Sequence, residues 1–127
     1  MLRDIYSNVR AVAAIAPAVQ AAAADGAVID LAGSKAIAFI VNTGAIAGSG
    51  DFGVALQESD ASGSGFAAPD ADFVDSNAPA TLAAASVYRL GYRGNKRYVR
   101  LSLTKAGGTS VALGAVAVLE PLDRPVA

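Results

Sequence analysis

The sequence predicts an all-β protein, an antiparallel β-sandwich or jelly-roll-like barrel with an N-terminal arm. Short runs rich in β-branched and aromatic residues follow one another from residue 27 onward. Clusters of turn-forming residues such as "NTGAIAGSGD" and "KAGGTS" separate these runs. Short runs with turns this frequent are typical of antiparallel strands rather than of helices joined by loops.

The first 24 residues are predicted to lie outside the sandwich, which forms a single domain over residues 25–127. Apolar residues recur there at helical spacing, at Leu2, Ile5, Val9, Val12 and Ala16. A short helix before Pro17 is therefore one interpretation, and an extended arm is the other. The segment imitates a signal peptide, but its apolar run is mostly Ala and Asp4 lies in the part that should be positive. We interpret it as mature sequence.

The predicted strands cover residues 27–31, 35–42, 52–59, 86–93, 96–104 and 110–120. Residues 60–85 contain Pro69, Pro79 and many Asp and Ala, which predicts a long loop system with one strand near Phe73. The last strand is apolar on both faces, with Val111, Leu113, Ala115, Ala117 and Leu119 on one and Ala112, Gly114, Val116 and Val118 on the other. It is therefore predicted to be a central strand or an interface strand.

The composition restricts the function more than it indicates one. The chain has no Cys, His or Trp, which excludes thiolate nucleophiles, cysteine zinc sites and the usual general base near neutral pH. "PDADFVD" lacks the pattern of a calcium loop, and "GAIAGSGDFG" lacks the Lys of a P-loop. We expect no enzyme, no cofactor and no metal site. No segment approaches the roughly 18 consecutive apolar residues of a membrane span, which predicts a soluble protein.

Basic residues concentrate in one segment of a chain whose net charge is only -1. Five of the ten Lys and Arg residues lie between Arg89 and Arg100. Gly94 and Asn95, between two β runs, predict a two-residue hairpin turn of the primed type. In that register Arg89 faces Arg100. The predicted core side consists of Tyr88, Leu90, Val99, Leu101 and Leu103, and the outward side of Arg89, Gly91, Arg93, Lys96, Tyr98 and Arg100.

The outward side of this predicted hairpin suggests a contact with an acidic protein surface, because opposed arginines are unfavourable without an anion nearby. The hypothetical interface residues are Arg89, Arg93, Lys96, Tyr98 and Arg100. Acidic residues of the same chain or of a neighbouring copy are one possible partner, namely Asp51, Glu58, Asp60, Asp70, Asp72 and Asp75. A solvated charged face is the alternative. Nucleic acid is not expected, because the chain is acidic overall, with a pI near 5.2.

Several segments resemble small virion structural proteins that tailed bacteriophages and prophages encode among their head genes. The segments that carry this resemblance are "MLRDIYSNV", "IAPAV", "VNTGAIAGSGDFGVALQESD", "GYRGNKRYVRLSLTKAGGTS" and "DRPVA". The resemblance covers nearly the whole chain and includes no catalytic signature. It implies a decoration or cement protein that stabilises the outer capsid surface, with the major capsid protein as partner. A tail or head-to-tail connector component is the alternative.

Two further expectations concern assembly and ligands. A chain at a threefold capsid position gains from forming trimers, because several weak contacts then act together. We therefore expect a homo-oligomer, with a trimer favoured. A carbohydrate-binding sandwich is a weaker hypothesis, because sugar-binding faces normally carry exposed aromatic residues and this chain has no Trp.

Overall fold

Two antiparallel β-sheets pack face to face in a computed structural model of the chain, which describes residues 4–121. The predicted all-β, sandwich-like architecture is confirmed. Leu2, the first residue of the helical spacing, and the segment "DRPVA" lie outside the described residues. The strands in chain order are β1 (Arg10–Gln20), β2 (Ala24–Asp25), β3 (Ile29–Asp30), β4 (Ser34–Ala47), β5 (Asp51–Ser59), β6 (Val74–Ser76), β7 (Val87–Tyr92), β8 (Tyr98–Gly107) and β9 (Ser110–Pro121).

The two sheets differ in size and order. Sheet A has the order β1-β9-β4-β7-β6, so β9 and β4 are central strands. Sheet B has β8 at its centre, with β5 on one side and β2 and β3 on the other. Two 3-10 helices, Tyr6–Asn8 and Ala71–Phe73, complete the regular structure of residues 4–121. Within that range, no helix is long and apolar enough to span a membrane.

The core lies between the inner faces of the two sheets. β9 contributes every second residue, and Val111, Leu113, Ala115, Ala117 and Leu119 are all buried. Phe39 of β4 and Phe52 of β5 are the largest side chains with almost no exposed surface. Most of the other core positions hold Leu, Val, Ile or Ala, which are smaller than phenylalanine.

Most of the predicted strands form close to where they were expected. The strand predicted near Phe73 is β6, and the predicted central position of β9 is confirmed. β4 is longer than predicted and runs to Ala47 through residues expected to form a turn. A register shift between Thr43 and Ile46 lets Ile46 pair with Val111, so pairing continues beyond Gly44. Of the first predicted strand, residues 27–31, only Ile29–Asp30 forms a β-strand.

β1 corrects the expectation for the N-terminal segment. Residues 10–20 form an edge strand that pairs with β9, so the helical alternative is wrong and the sandwich begins before residue 25. Pro17 would disrupt a helix interior, but an edge strand tolerates it because one side of the strand has no partner in the sheet. The N–H of Ala27 donates to the carbonyl of Ala14 at 2.8 Å, which ties β1 to the segment between β2 and β3.

Two connections between the sheets contact each other at one end of the sandwich. β4 passes to β5 through residues 48–50, and β8 passes to β9 through residues 108–109. Gly108 has a φ of 79°, and a Cβ there would overlap the carbonyl oxygen of Ser49 and the backbone of Gly50. The two connections can approach each other this closely because residue 108 has no side chain.

Candidate protein-contact surface

The hairpin predicted around Gly94 and Asn95 does not form. β7 pairs with β4 and β6 in sheet A, whereas β8 pairs with β5 in sheet B. Arg89 lies opposite Ile40, and Arg100 lies opposite Gln57, so the two arginines do not face each other. Residues 94 and 95 also lack the positive φ of a primed turn.

Tyr92 gives the physical reason for this correction. Its side chain is buried between the sheets at the end of β7, and its hydroxyl accepts a hydrogen bond from the N–H of Lys96 at 3.1 Å. A Cβ at Gly94 would overlap the Tyr92 ring, so this glycine allows a close approach rather than a positive φ. The chain therefore crosses from one sheet to the other around the ring instead of turning back on itself.

The predicted core side of this segment is largely confirmed. Leu90, Val99, Leu101 and Leu103 are buried, although Leu90 belongs to a different sheet from the other three. Tyr88 is partly buried, and its hydroxyl accepts a hydrogen bond from the N–H of Ala83 at 2.9 Å. The predicted alternation of side chains in β7 and β8 is therefore largely correct, whereas the predicted pairing of these two strands is wrong.

The five hypothetical interface residues lie on three different parts of the surface. Arg89 is on the outer face of sheet A. Tyr98 and Arg100 are on the outer face of sheet B, because they alternate with the buried residues of β8. Arg93 and Lys96 lie at the end of the sandwich, on the segment that joins the sheets. A single flat partner surface cannot contact all five.

Most of these basic side chains already have acidic partners within the chain. Arg93 binds Asp75 through two hydrogen bonds of 2.8 and 3.2 Å. Lys96 binds Asp60 at 2.8 Å. These two acids belong to the segment that the sequence analysis named as a possible partner, so the contact with it is made inside the domain. All four side chains are exposed, so each pair contributes little to stability.

Two further arginines are held by residues distant in sequence. Arg97 binds both carboxylate oxygens of Asp30 at 2.9 Å, and this contact holds the pKa of Asp30 at about 2, well below its ordinary value. Arg100 donates to Gln57 at 2.7 Å and lies 3.3 Å from an oxygen of Asp25. The guanidinium of Arg100 also stacks on the ring of Phe66.

Arg89 differs from the other basic residues of the segment. Its backbone N–H donates to the side-chain oxygen of Asn77 at 2.8 Å. Its guanidinium makes no salt bridge within residues 4–121. Arg89 is therefore the member of the predicted set whose charge is still available to a partner.

A pair between Tyr92 and Glu58 links the two sheets beneath the basic segment. The Tyr92 hydroxyl donates to a carboxylate oxygen of Glu58 at 2.6 Å. Burial of the phenol, together with this hydrogen bond, raises the pKa of Tyr92 to about 12. Ionisation of Tyr92 would remove the donor and place two negative charges side by side.

We expect Tyr92 to titrate well above the ordinary tyrosine value of 10, with a midpoint near pH 12. Because the folded state holds this proton more tightly, the stability that the shift contributes is present below pH 10 and is lost between pH 10 and 12. Tyrosinate absorbance should show a late step that Tyr92→Phe lacks and that Tyr6→Phe, at an exposed position, retains. A late step that survives in Tyr92→Phe would contradict this assignment.

The outer face of sheet B is polar and charged. The side chains that alternate with the buried residues of β8, and their neighbours on β2, β3 and β5, are Asp25, Asp30, Gln57, Tyr98, Arg100, Ser102 and Thr104. Asp25 also accepts a hydrogen bond from the hydroxyl of Ser102 at 3.1 Å. This face satisfies its charges internally and interacts well with water.

The outer face of sheet A is different, and we call its part over β1, β9 and β4 the apolar face. One row across the three strands consists of Ala13, Val116 and Ile40, and the next of Ala11, Val118 and Ala38. A shallow groove of about 800 Å³ lies along these strands, and no charged residue of the described chain lines it. Val116, in the middle, is 42% exposed and Val19, on β1, is 70% exposed.

Sequence reasoning found only the β9 part of the apolar face. Its outward residues Ala112, Gly114, Val116 and Val118 were recognised because apolar residues occupy both alternating sets of that strand. The β1 part is not predicted, because the Ala-rich segment with apolar residues at helical spacing indicates a helix or an arm. Val12, Ala14 and their alternation with exposed alanines are the signal that could have identified the strand.

Comparisons with protein-family models, with curated proteins and with solved structures found no match for the chain. Within residues 4–121, no group of three or more acidic side chains is placed to hold a metal ion.

Proposed function

We propose that this chain is a structural protein of a tailed-phage particle that binds the outer surface of the capsid and stabilises it. In this proposal it is a decoration or cement protein, it performs no catalysis, and its partners are the major capsid protein and further copies of itself. The sequence resemblance supports the phage assignment. The observation on the molecule that supports a role in assembly is the apolar face.

The apolar face supports this role because contiguous apolar surface is unfavourable in water and is normally covered in the working state of a protein. Three adjacent strands present Ala, Val and Ile outward, while the other sheet presents polar groups. Central strands with two apolar faces are typical of sheets covered on both sides. A partner that covers this face would bury it and gain affinity from the same apolar contacts.

The internal ion pairs support a structural role in a second way. Arg93, Lys96, Arg97 and Arg100 each contact an acidic residue of the same chain. Charges that are already paired contribute little to long-range attraction of an anionic ligand, such as a nucleic acid. This distribution favours a protein partner that is recognised by shape and apolar contact.

Copy number per particle tests the proposal against its alternative. A protein of the outer head surface should be present in proportion to the capsid subunits, whereas a head-to-tail connector should be present in ring-like numbers of about six or twelve. Quantitative mass spectrometry of purified particles, with the major capsid protein as internal standard, measures this ratio. A ratio that matches a single ring would contradict the decoration role and favour the connector.

Particles that lack this chain should break at a lower temperature than complete particles, because a ligand that binds only the assembled capsid stabilises it. Adding the purified chain back should restore the original breakage temperature. Release of DNA, followed by dye fluorescence during heating, measures the effect. Equal breakage temperatures with and without the chain would contradict the stabilising role.

A further inference from the structure

We propose that the apolar face binds the same face of a second copy of the chain, so that two sandwiches pack sheet to sheet around a twofold axis. This inference concerns the free protein. It holds or fails independently of the proposed location on a phage particle, because association in solution requires no capsid.

The distribution of charge identifies the second copy as the occupant. The groove of the apolar face has no charged lining residue, and Asn42 and Thr43 supply its polar side chains. A partner surface with charges would have to bury them against apolar groups, which is costly even for ion pairs, because the loss of hydration can exceed the attraction between the two charges. The outer face of sheet B, with the pairs Arg97–Asp30 and Arg100–Asp25, is therefore a poor occupant. Among residues 4–121, the surface that is both apolar and uncharged is the apolar face itself.

The arrangement of large and small side chains on the apolar face also suits a twofold contact. Val116 and Ile40 project side by side from β9 and β4. The neighbouring outward residues Ala13 and Ala38 are shorter, and Pro17 fills the space above Gly114, since a Cβ on residue 114 would lie 3.1 Å from it. A twofold axis that lies between the two sheets and parallel to them brings the two apolar faces together, so the projecting side chains of one copy can lie over the shorter residues of the other. Sheets packed in this way lie about 10 Å apart.

The size of the face is sufficient for a weak dimer. Three strands spaced about 4.8 Å apart, each contributing about nine residues at about 3.4 Å, give a footprint of roughly 440 Å² per copy. Two copies would then bury about 880 Å², which is in the range of weak or transient protein interfaces. We therefore expect association at micromolar or higher concentration.

A face-to-face contact closes with two copies, because each copy uses its apolar face once. The trimer expected for the particle would require a different contact, and the mass in solution distinguishes the two. Arg89, which pairs with no acid among residues 4–121, lies next to Ile40 at the border of the face. A charged border around an apolar centre is the usual organisation of a protein interface.

Sedimentation velocity of the purified full chain, from about 10 to 500 µM, tests this inference. We expect the mass to rise from 12.6 kDa towards that of two chains. Val116→Arg places a charge at the centre of both copies and should weaken association at least about 100-fold. Val28→Arg is the matched control, because Val28 is 38% exposed, similar to Val116, and lies outside the face. It should associate like the unmodified chain.

A chain that keeps the mass of one copy over the whole range would overturn the inference, as would a mass of three copies. Equal association of Val116→Arg and the unmodified chain would also overturn it. Circular dichroism checks that the variants are folded. If Val116→Arg does not fold, Val19→Arg replaces it, because Val19 is more exposed and lies on the edge strand of the same face. This second variant should weaken association in the same direction.

Discussion

Replacing Phe39 with alanine is expected to lower the free energy of unfolding by about 3–5 kcal/mol. Phe39 is on central strand β4 and has no exposed surface. Its removal takes away apolar contacts and leaves a cavity between two sheets that cannot close without moving the strands on either side. Domains of this size are usually stable by about 5–15 kcal/mol, so the loss is a large part of the total.

Urea denaturation followed by circular dichroism measures this effect, and Phe73→Ala is the matched control. Phe73 is 43% exposed at the end of a 3-10 helix, so the same substitution there should cost less than about 1 kcal/mol. Equal losses for the two variants would show that Phe39 is not at the centre of the core.

Replacing Gly108 with alanine is expected to cost about 2–4 kcal/mol. Its φ of 79° is unfavourable for any residue with a side chain, and the added Cβ would overlap the backbone of the neighbouring connection at Ser49 and Gly50. The unfavourable φ and the overlap of the Cβ both destabilise the folded state, and neither has a counterpart in the unfolded chain. The same denaturation experiment measures the loss.

Gly107→Ala is the control for this prediction, because it makes the same chemical change one residue earlier. No atom lies within 4 Å of a Cβ at residue 107, and its φ is outside the positive range. The cost there should be below about 0.5 kcal/mol. If both glycines tolerate alanine equally, the close contact between the two connections is not required for the fold.

The strands could be predicted from the sequence because side-chain alternation is a local property. Leu90, Val99, Leu101 and Leu103 were assigned to the core from their spacing alone, and they are buried. The pairing of the strands depends on distant residues. The Tyr92 hydroxyl donates a hydrogen bond to Glu58, which lies 34 positions earlier in the chain. The chain passes around the Tyr92 ring from β7 into the other sheet, although Gly94 and Asn95 favour a local turn.

The N-terminal strand shows the same limit. Alanine favours helices when neighbouring residues alone decide the conformation. Residues 10–20 are extended because the edge of β9 offers backbone hydrogen bonds along most of the segment. That edge belongs to residues 110–121, far from β1 in the chain, so no local pattern encodes the pairing.

The candidate site was only partly predictable for a related reason. A cluster of charges is visible in the sequence, but its partners are not, since Arg97 and Asp30 are 67 residues apart. The apolar face is built from β1, β9 and β4, which lie far apart in the chain. Ala and Val are common residues, and they form a distinct surface only once three strands place them side by side.

We expect the apolar face to be covered by another protein chain when the protein is bound to a capsid. Cryo-electron microscopy of the complete particle tests this expectation most directly. We expect density for the sandwich on the outer surface of the head, with Val116 and Ile40 directed towards a neighbouring protein chain. Density confined to the tail, or a sandwich on the head whose apolar face is directed towards solvent, would contradict the account.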